Sequence, residues 1–389
     1  MQEDFHYYAT YCAAYLAGYS HRESLDICYS AQLVDECTVT FLEKIKAPKA
    51  AATTQSQMEL MNVVTDIIGL QNVTRIWSSF HFLPYDLYAK LPRRPRRYLN
   101  KYRLVCGPNG SLVRDTVVLG KGKGTQAAGI AMHVLADTWA HSYFAGTPSN
   151  VINNTNAFFY EILEENGVRI ERKVKFNHNP ATADDVEKGI YTNSIHQEKE
   201  NSIMNLGHGR AGHFPDYSFA RYKYLPAYGE YEIVEKDNQE DYYKAFMQMV
   251  QALRYLRGEE EDFSVSSYAE DIVLPYKEEI KNIISKRQVN ACSDWKAFGE
   301  KLSGEPIEKF DINKYQKEYT EASKEEKDKT FLGKFVTASM AQKSMVTNKI
   351  FKSGNMLAGF SIEYDSKHFK GIKDFKRLIE YQRKDKEND

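Results

Sequence analysis

Within the 389-residue chain, His133-Val-Leu-Ala-Asp137-Thr-Trp-Ala-His141 sets two imidazoles and a carboxylate at steps of four. On an α-helix each such step advances about 40°, so the three side chains share an arc of about 80° and can face one point. Neutral imidazole and carboxylate are the usual ligands of zinc and similar divalent ions, and a helix presents them rigidly. The pattern predicts a metal-binding face on a helix over 125–144. The bland alternative is a buried polar face satisfied by neighbouring helices.

Other residues extend the pattern. Asp35 shares a helix face with Cys28, Ala31 and Thr38, so its carboxylate points where small and apolar side chains point. A buried carboxylate needs a metal, a cation or a proton. His6 lines up with Ala9, Thr10, Ala13 and Ala17 in the same manner, and Asp4 is a neighbouring candidate. His81 follows Trp77 at the end of a predicted third helix. In Gly207-His208-Gly-Arg-Ala-Gly-His213-Phe-Pro-Asp216-Tyr217, His208 and Asp216 stand eight apart, as His133 and His141 do, and His213 is an alternative that holds the loop instead. His21, His178, His196 and His368 sit in polar or loop contexts and read as surface residues.

The elements that must position these residues are mostly helical. Ser20 and Glu23 form a capping box for a second helix running to about Ile45, after a first helix stopped by Gly18. A third helix is expected over 55–80. Lys90 to Arg103, KLPRRPRRYLNKYR, reads as an exposed basic loop. Residues 102–119 are open between extended runs around GPNGS and a short helix. GVRIERKVKF (167–176) alternates polar and apolar and is the best strand candidate. After Tyr217 the chain is expected to be mostly helical, over 241–256, 268–286, 295–302 and 314–351, with a charged, frayed tail from about Lys370. The expected organisation is a metal-binding helical core over 1–220 and a helical C-terminal region, 221–389, packed on it.

Composition narrows the function classes. With 52 Lys plus Arg against 53 Asp plus Glu, the net charge of -1 gives no general attraction to nucleic acid or anionic membrane. The basic segment 90–103 is the one local exception, and a solvated loop is its simpler reading. No run of 18 apolar residues suggests a membrane span. The five cysteines form no C-x-x-C pair, and Met1-Gln2-Glu3-Asp4 is acidic where a secretory signal would be basic, so a reduced, cytoplasmic setting is expected. Gly120-Lys-Gly-Lys-Gly-Thr125 lacks the spacing of a phosphate-binding P-loop.

The order of these residues resembles the all-helical zinc-dependent phospholipase C and single-strand nuclease superfamily. DFHYY at 4–8, SAQLVD at 30–35, HVLADTWAHSYFAG at 133–146 and GHGRAGHFPDY at 207–217 are more closely similar to a family of uncharacterised bacterial proteins sharing these blocks. The resemblance covers about residues 1–220. It implies a multi-helix bundle of the zinc-dependent phospholipase C type, to which the residue patterns add a small β insertion and a helical C-terminal extension. It also implies up to three zinc ions: one held by Asp35, His81, His133 and Asp137, a second by His141, His208 and Asp216, a third by His6 with Asp137. Two departures stand out. Here His141 lies four residues beyond Asp137 rather than six, and the superfamily's third ion uses the free amine of a processed N-terminus, whereas this sequence opens at Met1 with no signal peptide. Both point to fewer ions or a different metal.

The expected function is a metal-dependent hydrolase of a small phosphoester, in which a cluster of one to three divalent ions, zinc foremost, activates water and Asp35 or Asp137 orients it. The competing readings are a single structural ion tying the N-terminal helices together, and an interaction protein whose polar cluster is only a buried network.

Overall fold

The computed structural model describes residues 1–61, 67–91, 93–155, 158–177, 183–193, 205–228 and 232–359. His178, His196, His368 and the tail from Lys370 lie outside the described residues. The described chain is mostly α, with one four-stranded antiparallel sheet and a two-stranded parallel pair.

A π-helical turn, Asp4–Ala9, leads directly into α1 (Thr10–Leu16), and every residue of that turn is buried. Gly18 then takes φ +89°, and Ser20 caps α2 (His21–Glu36), with the Glu23 carboxylate accepting the Ser20 N–H in return. The expected helix to Ile45 breaks at Cys37. Thr38 accepts the Phe41 N–H and starts α3 (Val39–Lys44), so two caps replace one continuous helix. The third helical stretch is α4 (Gln57–Met61) and α5 (Ile67–Phe80). Part of the basic segment folds as α6 (Arg96–Tyr102), and the open stretch after it becomes α7 (Ser111–Gly120), entered from Gly110.

The central α8 (Thr125–Ala140) is buried almost throughout and ends one residue before His141. It lies against α2, α5, α7 and, from the C-terminal region, α9 (Asn238–Arg257). Gly129 lets α2 and α8 touch: a Cβ there would sit 2.3 Å from the Ile27 carbonyl oxygen.

The strand expectation at 167–176 resolves into a hairpin of β1 (Phe159–Glu165) and β2 (Val168–Lys173), turned at Asn166 and Gly167, both with positive φ. β3 (Lys175–Asn177) pairs in parallel with β4 (Ile190–Thr192). Two strands fall in the region expected to be helical. β5 (Arg221–Tyr224) pairs with β1, and β6 (Val234–Asp237) pairs with β5, giving the order β2-β1-β5-β6. Phe159, Tyr191, Phe214, Tyr222 and Tyr224 form an aromatic core beneath this sheet, separate from the main helical core.

The remaining helices are α10 (Glu270–Val273), α11 (Lys277–Ser285), α12 (Cys292–Ser303), α13 (Gln316–Glu321) and α14 (Phe331–Lys352). α12 closes over the N-terminal turn, with Trp295 edge-on to Phe5 at 6.0 Å, and α14 packs on α5 and α8. Among the described residues no helix is long and apolar enough to cross a membrane, and all five cysteines are free thiols.

Candidate metal centre

Five segments deliver side chains to one place. The N-terminal π-helical turn gives His6, the last turn of α2 gives Asp35, and the residue after α5 is His81. α8 gives His133 and Asp137, and its C-cap residue is His141. The glycine-rich segment 207–217 folds as two short 3-10 turns, Gly209–Ala211 and Phe214–Asp216, which carry His208 and Asp216.

Three groups of donor atoms lie within 4.8 Å of one another: His6, His133 and Asp137; Asp35, His81 and His133; and His141, His208 and Asp216. Asp137 sits between them. Its Oδ1 is 3.1 Å from His6 Nε2, and its Oδ2 is 3.3 Å from His81 Nδ1, 3.2 Å from His133 Nε2 and 3.5 Å from His141 Nδ1. Asp35 is farther out, 3.7 Å from His81 Nδ1 and 3.9 Å from His133 Nε2. Asp216 Oδ1 is 3.0 Å from His141 Nε2 and 3.5 Å from His208 Nε2.

The far side of each ring decides what the near side offers. His133 Nδ1 donates to the Ala31 carbonyl at 2.9 Å, His81 Nε2 to the Thr53 carbonyl at 3.1 Å, His141 Nδ1 to the His81 carbonyl at 2.7 Å, and His208 Nδ1 to the Gly212 carbonyl at 2.8 Å. A carbonyl oxygen only accepts, so each of these nitrogens holds the ring's proton. In the neutral ring the other nitrogen then presents a lone pair to the cluster, the outer arrangement that orients metal-binding histidines. His6 adds a fifth imidazole whose two nitrogens are buried with no hydrogen-bond partner, stacked 3.8 Å from His133.

Lone pairs facing carboxylate oxygens repel unless a cation stands between them. Among the described residues one cation meets these carboxylates: the buried α-amine of Met1 donates to Asp137 Oδ1 at 2.7 Å and lies 3.1 Å from His141 Nε2 and 3.2 Å from Asp216 Oδ1. Burial pulls this amine's pKa down, and Asp137, Asp216 and Asp35 more than reverse it, to about 11. Against the upward push of burial, His141, the amine, His133 and His6 hold the Asp137 carboxyl well below the usual range, and His208 and the amine do the same for Asp216. Burial drives His6 and His208 the other way, each down to about 4, so both are neutral and able to bind metal at pH 7.

The sequence candidates separate cleanly. His6, Asp35, His81, His133, Asp137, His141, His208 and Asp216 converge. Asp4 does not join a donor group. Its Oδ2 accepts the Ala291 N–H at 3.1 Å, and burial raises its pKa to about 6. His213 stands at the edge, its Nδ1 3.5 Å from Asp216 Oδ2 and its side chain 55% exposed. His21, expected at the surface, is half-buried with its Nδ1 2.6 Å from the Tyr11 hydroxyl.

Sequence reasoning missed two contributors and set a third, the N-terminal amine, aside. The Met1 amine has no side-chain signature. Phe82, next to His81, stacks on His141 at 4.8 Å and lies against Gly207, where a Cβ would sit 2.2 Å from its ring. Lys236 of β6 donates to the Trp139 carbonyl at 2.8 Å and the Ser142 hydroxyl at 2.7 Å and is paired with Asp241, fixing the end of α8 beside His141. Leu91, Arg94, Tyr98 and Tyr102 of the basic segment 90–103 line a groove of about 1110 Å³ that also runs past Ser142 and Tyr143.

No curated protein and no solved structure matches the chain. A family model does, described as a family of unknown function (DUF6765), over residues 1–350. The chain belongs to that family.

Proposed function

We propose that this protein is a metal-dependent hydrolase of a small phosphoester, with its fold of the zinc-dependent phospholipase C type and its site at the histidine and aspartate cluster. The observation that carries the reading is the convergence of lone pairs: His81 Nδ1 and His133 Nε2 are 3.2 Å apart and each ring's proton is spent on a backbone carbonyl. Such an arrangement favours a divalent cation over a hydrogen-bonded polar core.

Asp35, His81, His133 and Asp137 would hold one ion, His141, His208 and Asp216 a second, and His6 with Asp137 a third. The Met1 amine is a further nitrogen donor beside Asp137. Bound zinc would supply Lewis acidity toward a phosphoryl oxygen and hydroxide near neutral pH. Asp137, fully buried and low in pKa, holds its charge in place between the groups. Asp35, 29% exposed, is the carboxylate positioned to meet substrate, orient water and accept its proton.

The innermost group, His6, His133 and Asp137, is 0% exposed, which also suits a closed structural ion. Metal analysis and turnover separate the two. Two or more equivalents of zinc, with hydrolysis of bis(p-nitrophenyl) phosphate that Asp35→Asn abolishes, are expected. One tightly held equivalent and no turnover on a phosphodiester panel would replace the hydrolase with the structural ion.

A further inference from the structure

Beside the N-terminal half of α8, a cavity of about 310 Å³ opens between α7, α8 and α14. That volume is at the lower end of the range for small-molecule sites. Its walls are Leu119, Ala127, Ile130, Ala131, Ala338 and Ala341, and the alanines leave the room that larger side chains would fill. Deeper in, Thr116 and Gln342 bond to each other, the Gln342 amide donating to the Thr116 hydroxyl at 3.0 Å, so that polar pair is already satisfied.

The outer edge differs in chemistry. Lys123 and Lys334 line the cavity, both exposed, and neither forms an ion pair among the described residues. Asp328 is the one carboxylate among the lining residues, with Asp26 beyond them in electrostatic reach of Lys334, so the lining itself carries two cations against one anion. Lys123 belongs to the GKGKG segment, where Gly122 and Gly124 take φ +71° and +88° and turn the chain into α8. α8 starts from Gly124 with no side-chain cap, so its first amides add to the positive field at the same edge.

We infer that this cavity binds a single-chain anionic amphiphile, its alkyl tail against the alanine-rich walls and its carboxylate or phosphate head between Lys123 and Lys334. The site is independent of the metal cluster. A head group alone would gain only screened attraction to two exposed lysines, and a tail alone would leave the charged edge unused.

Decanoate is a suitable probe, because it is not a phosphoester and its binding is unaffected by whether the protein hydrolyses one. Isothermal titration of the full chain should show one decanoate site. Decyltrimethylammonium and inorganic phosphate should each bind at least about tenfold more weakly. Ala338→Phe, which fills the cavity from a partly exposed position, should weaken decanoate about tenfold or more with an unchanged melt. Ala341→Phe serves if the first variant fails to fold. Lys123→Glu with Lys334→Glu should weaken it at least as much and reverse the sign of its salt dependence. Absence of decanoate binding, phosphate binding as tight as decanoate, or binding indifferent to both the filling and the charge-reversal variants would overturn the proposal.

Discussion

His81 Nδ1 and His133 Nε2 approach to 3.2 Å with Asp137 Oδ2 at 3.3 and 3.2 Å from the two, and neither neutral ring has a proton left to place among them. Both protons are on the outer nitrogens, held by Thr53 and Ala31 carbonyls. An isolated polar core would arrange donors against acceptors. Here acceptors meet acceptors, and a cation resolves the conflict.

Asp137 is the shared partner of that conflict, so under the proposed function its charge decides the metal content. Asp137→Asn keeps the shape and removes the charge. The variant is expected to retain its circular dichroism spectrum, to lose at least one metal equivalent by plasma mass spectrometry, and to lose phosphodiester turnover by about a hundredfold or more. Intact metal and intact turnover would remove the cluster from the chemistry.

Gly129 sets the distance between Asp35 and His133 by letting their helices touch. A glycine-to-alanine change inside a helix ordinarily stabilises by about 0.5–1 kcal/mol. At this site the new methyl would meet the Ile27 carbonyl at 2.3 Å and Ser30 Cβ at 2.6 Å. Gly129→Ala should therefore destabilise, by about 1–3 kcal/mol, and weaken metal binding as α2 moves off α8. Urea unfolding reads the sign directly, and stabilisation would show that the two helices are not tightly seated.

Legibility in the sequence followed regularity. His133, Asp137 and His141 were readable because α8 is an unbroken helix, and the four-residue step needs nothing else. Asp35 was readable from the small residues sharing its face. His208 and Asp216 were nameable, but the glycines hid the two 3-10 turns that bring them in. The break at Cys37 and Thr38 was hidden because the apolar residues continue past it, and only the Thr38 side chain's bond to Phe41 N–H marks the new start. β5 and β6 are four residues each, too short for alternation to stand out, and are fixed by pairing with the distant β1. The Met1 amine and the four carbonyls behind the histidines are backbone groups. No side-chain pattern encodes them.

With metal removed by chelator, the cluster should be acid-sensitive well above the carboxylate range. His6 and His208 titrate near 4 when folded against about 6.5 when unfolded, so the unfolded chain binds more protons between those values. Their contribution is full above pH 6.5 and is lost as pH falls toward 4. Asp4, raised to about 6, opposes this in part, because its protonated form is favoured in the folded state. His213, held above its ordinary value by its hydrogen bond to Asp216, opposes it as well, and the larger displacements of the two buried imidazoles leave a net fall in melting temperature from pH 6.5 to 4. A flat or rising profile in chelator would contradict burial of the two rings.

Lys236 joins the sheet to the end of α8, and its loss should be felt at His141. The ammonium is 4% exposed and satisfies the Trp139 carbonyl, one of the last of α8, which has no helical partner. Lys236→Met keeps the length of the side chain, leaves that carbonyl and Asp241 without the cation, and should cost roughly 2–4 kcal/mol. Because Asp241 is then an unpaired carboxylate in a partly buried position, Lys236→Met with Asp241→Leu should recover part of the loss, so the two changes are non-additive. The cycle also separates packing from positioning. If Lys236 only stabilises, the double variant regains both stability and metal affinity; if it also orients His141, stability returns while the ion shared by His141, His208 and Asp216 stays weakly held. A double-variant loss equal to the sum of the two single-variant losses would show that the pair with Asp241 contributes nothing.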